Sequence, residues 1–539
     1  MSSIKIIKNY RRWLFGGFGF HNSEATMTAL MSEKFYNERV LKVFREISPT
    51  FSRVFAGYHD WTREAMDRFA DYYDDTFRKS GTTMYLVPGR MPMFTEDFNL
   101  REYCENVARK LEYLIKERKC TKIRYYCCTN ELSVGNTYAY LAEHLDLLKE
   151  IHTELQKAFL RHGLDVGLMA SDASGVQMFN HVQWVKDNMD EQTEVYCNHL
   201  YCNCEDIGED SYEKLVALFE EAVATAQSKE KRFCLGEFGI VSKIRYNNRG
   251  LAMRNDMCAA QMYPEKAGIY AVRLAEMCAA LVNTGCLSGV YWSLFDYPDP
   301  FLRENGDTEE EKAAYDVARF SGHGLNIRYN KNGLVKWCDD EKDYSSRAGL
   351  YVMGYIAKLF RKGSRTLECT TDDSELRAFA VTNPDGTFSA AVINIGSEAK
   401  NIQLEIQHNL GKAMRRYDFD SANIPYNDFC DLQTYSALAE ANGNECEISV
   451  PAMSVTFLTT DYVDRKPSEV TNIRAENGRL TWDACKDKEH CYYRVYASDK
   501  KNFVPKYDNQ IASTVAEFTD ISDEKLYYKV FSVDKYGNI

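Results

Sequence analysis

The chain has 539 residues, 45% hydrophobic and 27% charged, an ordinary balance for globular protein long enough to hold several domains. A formal net charge of −13 leaves no basic footprint for nucleic acid or an anionic membrane surface, so neither is expected as a partner. No run of about 18 apolar residues offers a membrane span.

The N-terminus, MSSIKIIKNYRRWLFGGFGF, has neither an apolar h-region nor a small-residue cleavage site, so a cytoplasmic chain is expected. Eight strand-like runs then alternate with helix-like ones: Leu14–Phe20, Phe51–Ala56, Thr82–Val87, Lys122–Cys127, Asp165–Ala170, Thr193–Asn198, Arg232–Gly236 and Cys286–Trp292. Between them, Leu141, Leu145, Leu148, Ile151, Leu155 and Phe159 fall on one helical face. A second helix is expected to begin with Ser211 as its N-cap. This order predicts an α/β fold, a (β/α)8 TIM barrel over residues 1–364, rather than an open doubly wound sheet. The polar stretch Asp299 to Asp343, with a short acidic helix in it (TEEEKAAYDVARF), is expected to overhang the barrel mouth. Arg347 to Phe360 reads as the closing helix.

From about Arg365 the period becomes alternating. LRAFAVTNPDGTFSAAVINI is a hairpin turned at Asn383-Pro384-Asp385-Gly386, and KNIQLEIQ and ISVPAMSVTFLTT continue a β-sandwich over 365–463. The sandwich is expected to pack on the barrel's side and to take a strand from near the N-terminus or from just after the barrel. Asp464 to Glu469 (DRKPSE) reads as a linker to a loosely attached third domain, 464–539, built of short regular strands.

Seventeen cysteines is an odd number, and Cys127, Cys128, Cys197 and Cys234 lie in strand-like runs, where Cys acts as a small hydrophobe. A reducing compartment fits this better than a disulfide framework. Tyr201-Cys202-Asn203-Cys204 lacks a second cysteine pair at zinc-finger spacing, so no metal is expected, and no organic cofactor.

Two strand-like runs end on acids: Ile123 to Glu131 (IRYYCCTNE) and Arg232 to Gly239 (RFCLGEFG). The stretch between them has room for three βα units of ~30 or more residues each. That puts Glu131 after the fourth strand and Glu237 on the seventh, facing each other over the C-terminal mouth of one barrel. Two carboxylates across a cleft are what glycosidic-bond hydrolysis needs.

With Asn130-Glu131, the GEFG around Glu237, His199-Leu200-Tyr201, Arg53 on the second strand and Trp292 on the eighth, the first 360 residues resemble clan A of the glycoside hydrolases. GEFG and His-x-Tyr are written as in family 5. The sandwich, with VPAMSVTFLTT near its end, resembles that of families 30, 39 and 51. Trp482, a Tyr-rich central strand and Tyr527 as a tyrosine corner resemble a fibronectin type III domain, with its last strand expected to be missing. The third barrel strand ends Pro88-Gly89-Arg90, without the histidine that family 5 places there.

The resemblance implies a retaining β-glycosidase acting on a carbohydrate substrate by double displacement. Glu237 would be the nucleophile, its pKa lowered by Arg53 and the Tyr201 hydroxyl, and Glu131 the acid/base, its pKa raised by the charge on Glu237. Asn130, His199 and Trp292 would contact the sugar or orient the acids. The alternatives are a transglycosidase on the same scaffold and a catalytically inactive carbohydrate-binding barrel.

Overall fold

The structure, a computed structural model, describes all residues except 57–60, 89–97, 133–138, 176–177, 204–208, 242–263, 299–328, 331, 338–341, 409, 411–412 and 522–526. The acidic helix expected at 308–320, most of the overhang around it, Gly89, Arg90 and Cys204 lie outside the described residues.

Eight parallel strands close into a barrel: Gly19–His21, Phe51–Phe55, Thr83–Val87, Ile123–Cys127, Gly167–Ser174, Val195–Asn203, Arg232–Val241 and Gly289–Tyr291. The first closes on the eighth through Gly19 opposite Val290 and Phe20 opposite Tyr291. Strand alternation sorts the side chains into two layers. Tyr85, Val87, Cys127, Met169, Cys197 and Cys234 fill the bore, while Met84, Leu86, Tyr126, Leu168, Tyr196 and Phe233 pack outward against the helices. The buried thiols are thus small core residues, and burial pushes the Cys127 and Cys197 thiols up in pKa.

Three local expectations are corrected. The first strand is Gly19–His21 rather than Leu14–Phe20: Leu14 is exposed, Phe15 N–H donates to Ser364 O (2.9 Å), and Gly17, at φ +85°, turns the chain before the strand begins. Ser211 lies inside the helix Glu209–Gln227 and does not cap it. Residues Ser2–Ile7 stand outside the expected 1–364 barrel unit and supply the strand that the sandwich was expected to take from near the N-terminus or from just after the barrel. They form a strand antiparallel to Arg365–Thr371 and parallel to Lys400–Ile406, inside the second domain's sheet. Ile4 and Ile6 are fully or nearly fully buried there, so hydrophobic burial decides which sheet takes this strand.

That sheet has nine strands and a core of its own, containing Leu376, Ala378, Ala380, Phe388, Ala390 and Val392. The alternate residues Phe379, Val381, Ala391, Ile393 and Phe457 join the barrel's core instead. Period-two alternation therefore builds the interface. The barrel helix Pro264–Thr284 lies against it, Asn283 Nδ2 donating to Ala378 O (2.9 Å) and Glu276 pairing with Arg377 (3.1 Å). Gly268 permits this approach, since a Cβ there would fall 2.2 Å from Ser421 O.

The third domain has two three-stranded sheets around Leu480, Trp482, Tyr493, Val495, Ala512 and Val530. An upstream hydrogen bond of Tyr527 to 522–526 would fall outside the described residues. The domain is not loosely attached. Lys42, fully buried on the barrel helix Leu41–Ile47, binds Glu46 (2.6 Å), Cys430 O and Asp431 (both 2.7 Å), and lies over the Tyr492 ring. Arg494, Gln510 and Ser513 of the third domain also converge on Asp431. A composition-based linker assignment could not see a charge network whose members are far apart in sequence. Trypsin should therefore nick after the exposed Arg465 without releasing a C-terminal fragment from the native chain on gel filtration. A freely eluting fragment would contradict the junction.

Candidate active site

The expected site residues come from different strand ends and meet at the C-terminal end of the barrel. Arg53 is on the second strand, Asn130 and Glu131 follow the fourth, His199 and Tyr201 are on the sixth, Glu237 is on the seventh, and Trp292 follows the eighth. Arg53 is wholly buried and forms the hub. Its Nη1 donates to Glu237, and its Nη2 donates to Asn130 Oδ1 and to Asp172 Oδ2 (3.1 Å). The Tyr201 hydroxyl donates to the other Glu237 oxygen (2.7 Å).

The chain before Glu237 must pass close to its neighbours, which Gly236 allows. A Cβ at Gly236 would stand 2.5 Å from Cys197 Sγ and 2.7 Å from the Tyr85 hydroxyl. That hydroxyl donates to Gly236 O (2.8 Å) and anchors the turn. Glu131 leaves its strand with φ +54°, the left-handed region, which is uncommon for Glu. Trp292 is packed against the His21 ring, centroids 4.1 Å apart, with Phe55 and Tyr297 beyond it, and is only 8% exposed.

His199 sits between the acids. Its Nδ1 is 3.5 Å from an oxygen of Glu131 and 3.5 Å from one of Glu237, and its Nε2 is 2.7 Å from Asp172. One donor atom from each of Glu131, His199 and Glu237 lies within 4.8 Å of the others, the one such trio among the described residues. Burial alone would lower the pKa of His199, but Asp172 and Glu237 outweigh it and raise it to about 10. With His199 doubly protonated, the three groups form an ion-pair cluster.

The pKa directions of the two acids are the reverse of those expected. Burial pushes Glu237 up against the pull of Arg53 and His199, and the charges of Glu131 and Asp172 push the same way. Burial also acts to raise Glu131, but its hydrogen bond and charge contact with His199 win, and its pKa is lowered. For Glu237 the cause is burial, and for Glu131 it is His199, whose effect could not be anticipated from strand ends. Groups coupled this closely titrate as a pair.

Two site residues were missed in the sequence. Asp172 is on the fifth strand, which was expected to stop at Ala170 and in fact runs to Ser174. His21 ends the first strand, which was expected to stop at Phe20. His21 Nδ1 accepts from Arg53 Nη1 (3.2 Å), which puts its proton on Nε2, facing the Ser23 hydroxyl. Burial first, and then Arg53, hold its pKa well below the ordinary value. A polar residue within two positions of a predicted strand end was the available signal in both cases.

No protein-family model and no curated protein matches the chain. Solved structures do. A glycoside hydrolase family 30 subfamily 8 xylanase from Clostridium acetobutylicum aligns at TM-score 0.52 and 14% identity, over 85% of this chain and 99% of that one. The catalytic domain of a family 30 xylanase C from Talaromyces cellulolyticus aligns at 0.55 and 13%, over 85% and 99%. A family 51 arabinofuranosidase from Xanthomonas axonopodis pv. citri aligns at 0.55 and 11%, over 85% and 100%. At such identities the likeness is one of fold: this chain has the barrel-plus-sheet architecture of family 30 and family 51 glycoside hydrolases.

Proposed function

We propose that the chain is a retaining β-glycosidase acting on oligosaccharides or small β-glycosides. The observation that carries this reading is the acid pair: oxygens of Glu131 and Glu237 approach within 4.8 Å. The retaining spacing is ~5–5.5 Å and inversion needs about 6.5 Å or more, room for a water. The likeness to xylanases and an arabinofuranosidase supports the reaction class, and the choice among their sugars stays with experiment.

In the reaction, Glu237 attacks the anomeric carbon while Glu131 protonates the departing oxygen. Glu131 then takes a proton from water, which opens the covalent glycosyl-enzyme. Arg53 and Tyr201 hold both Glu237 oxygens and fix its aim. The reactive form needs the pair's proton on Glu131. Both acids border the same imidazolium, so the exchange between them is short. Asn130, its Oδ1 held by Arg53, turns its amide nitrogen toward the sugar's 2-hydroxyl in this scheme.

The third domain is proposed to be fibronectin type III-like, and a cytoplasmic location is proposed from the free thiols among the described cysteines. No described helix is long and apolar enough to cross a membrane. A panel of aryl β-glycosides, assayed for release of the aryl alcohol, should give turnover with at least one sugar and a product that keeps the β-configuration when trapped early. α-Product would sink the retaining mechanism. Methanol added as acceptor separates a transglycosidase, which would give mainly methyl glycoside. Turnover unchanged by chelator is expected. An inactive carbohydrate-binding barrel would bind sugars and release nothing.

A further inference from the structure

We propose that Asp172 is a positioning residue that fixes the proton count of the catalytic pair: by holding His199 as an imidazolium, it leaves Glu131 and Glu237 one proton to share. The inference rests on the reading of those acids as a double-displacement pair, and the argument for it is hydrogen-bond accounting.

Asp172 is wholly buried and meets donors only. They are Arg53 Nη2 (3.1 Å), His199 Nε2 (2.7 Å) and Cys197 Sγ (3.2 Å). A carboxyl group surrounded by donors is an acceptor on both oxygens, and so ionised. Burial works against this, but His199 and Arg53 outweigh it and hold its pKa low. Both ring nitrogens of His199 thus face carboxyl oxygens: Asp172 on one side, Glu131 and Glu237 on the other. Such a ring is satisfied by two N–H groups and carries a positive charge.

The charges then balance in one way. Arg53 and His199 are two cations facing three carboxyl groups. One acid proton makes the cluster neutral, and Asp172 does not carry it. Glu131 and Glu237 therefore share it, which is the protonation that a retaining pair needs at the start of its cycle. The other titratable neighbours contribute no charge. Burial pushes Tyr85, Cys127 and Cys197 up, so they stay neutral, and His21 beyond Arg53 is neutral as well. If Asp172 lost its charge, His199 would lose the partner that holds its second proton, and the acid pair, without an imidazolium beside it, would keep its own proton to higher pH.

The test uses the full chain. In Asp172→Asn, His199 should lose its second proton below pH 8, and the alkaline limb of the kcat/KM profile should move to higher pH by about one unit, a tenfold gain of proton affinity. A residue with only a structural role would lower kcat or raise KM at every pH and leave the limb in place, and that result would overturn the proposal. The wild-type chain gives a measurement that needs no variant to fold. With ¹⁵N-labelled histidine, and His199 assigned by its loss in His199→Gln, both ring nitrogens should read as protonated at pH 8. A neutral ring at pH 8 overturns the proposal. A doubly protonated ring in a chain with no glycosidase activity would remove the functional reading and support the proton-holding role of Asp172.

Discussion

Glu131→Ala and Glu237→Ala are expected to fail in different ways. Without Glu131, glycosides with poor leaving groups should lose about 10²–10⁴-fold in kcat/KM, the usual contribution of a general acid. Activated aryl glycosides need no proton on departure, so their first step should survive. Azide should then rescue turnover, attacking the glycosyl-enzyme from the face that water uses and giving a β-glycosyl azide. Without Glu237 no intermediate can form, and both classes of substrate should stop reacting. Azide there would occupy the space of the missing carboxylate and give the α-product. Removing Glu237 also leaves the buried Arg53 with Asp172 as its remaining carboxylate, so each variant should be checked for native folding by circular dichroism. Loss in kcat rather than in KM is expected for both, since each acts on the transition state. Identical leaving-group profiles would mean that this is not the working pair.

The second large effect lies far from the site. Lys42→Met should destabilise the chain by about 3–5 kcal/mol, the usual cost of removing one partner from a buried ion pair. The methionine fills the space but leaves Glu46 and Asp431 at the junction without their ammonium. Arg494 at 3.0 Å continues to hold Asp431, which sets the loss toward the lower end. Three domains do not unfold as one unit, so the measurement is the first urea transition together with tryptic release of the C-terminal domain. The pH dependence has a definite sign. Burial would raise Asp431, but Lys42 and Arg494 win and hold its pKa below the unfolded value of about 3.9. Its contribution is whole above that value and is lost as pH falls through the folded pKa. The gap between wild type and Lys42→Met should therefore be wide at pH 7 and narrower near pH 3. An unchanged urea midpoint at pH 7 would show that the junction does not depend on this lysine.

Both sets of expectations trace to how differently the two regions appear in the sequence. Phe233-Cys234-Leu235 followed by Gly236-Glu237 is a local pattern: a buried run ending on an acid. Ile123 to Glu131 is another. Local patterns of this kind gave all eight barrel strands, the order of the site residues, the hairpin at Asn383 to Gly386 and the sandwich that begins at Arg365. Strand ends were less legible. The first and fifth strands extend past their predicted ends, and these extensions carry His21 and Asp172.

By itself, the sequence determined on which strand or strand end the candidate residues it named stand, because strand period and buried apolar runs are local properties. Only the tertiary structure decided how those residues share protons and where the outer elements dock. A strand from near the N-terminus was expected in the sandwich, but that it is Ser2–Ile7, set between Arg365–Thr371 and Lys400–Ile406 some 360 residues away, came only from the folded sheet. No motif singles out Asp431, yet Lys42 and Arg494 reach it from two other domains. Glu131 and Glu237 titrate according to a histidine on a third strand and the buried aspartate behind it. Coulomb energies and desolvation depend on distance and burial in space, and a chain reveals neither until it has folded.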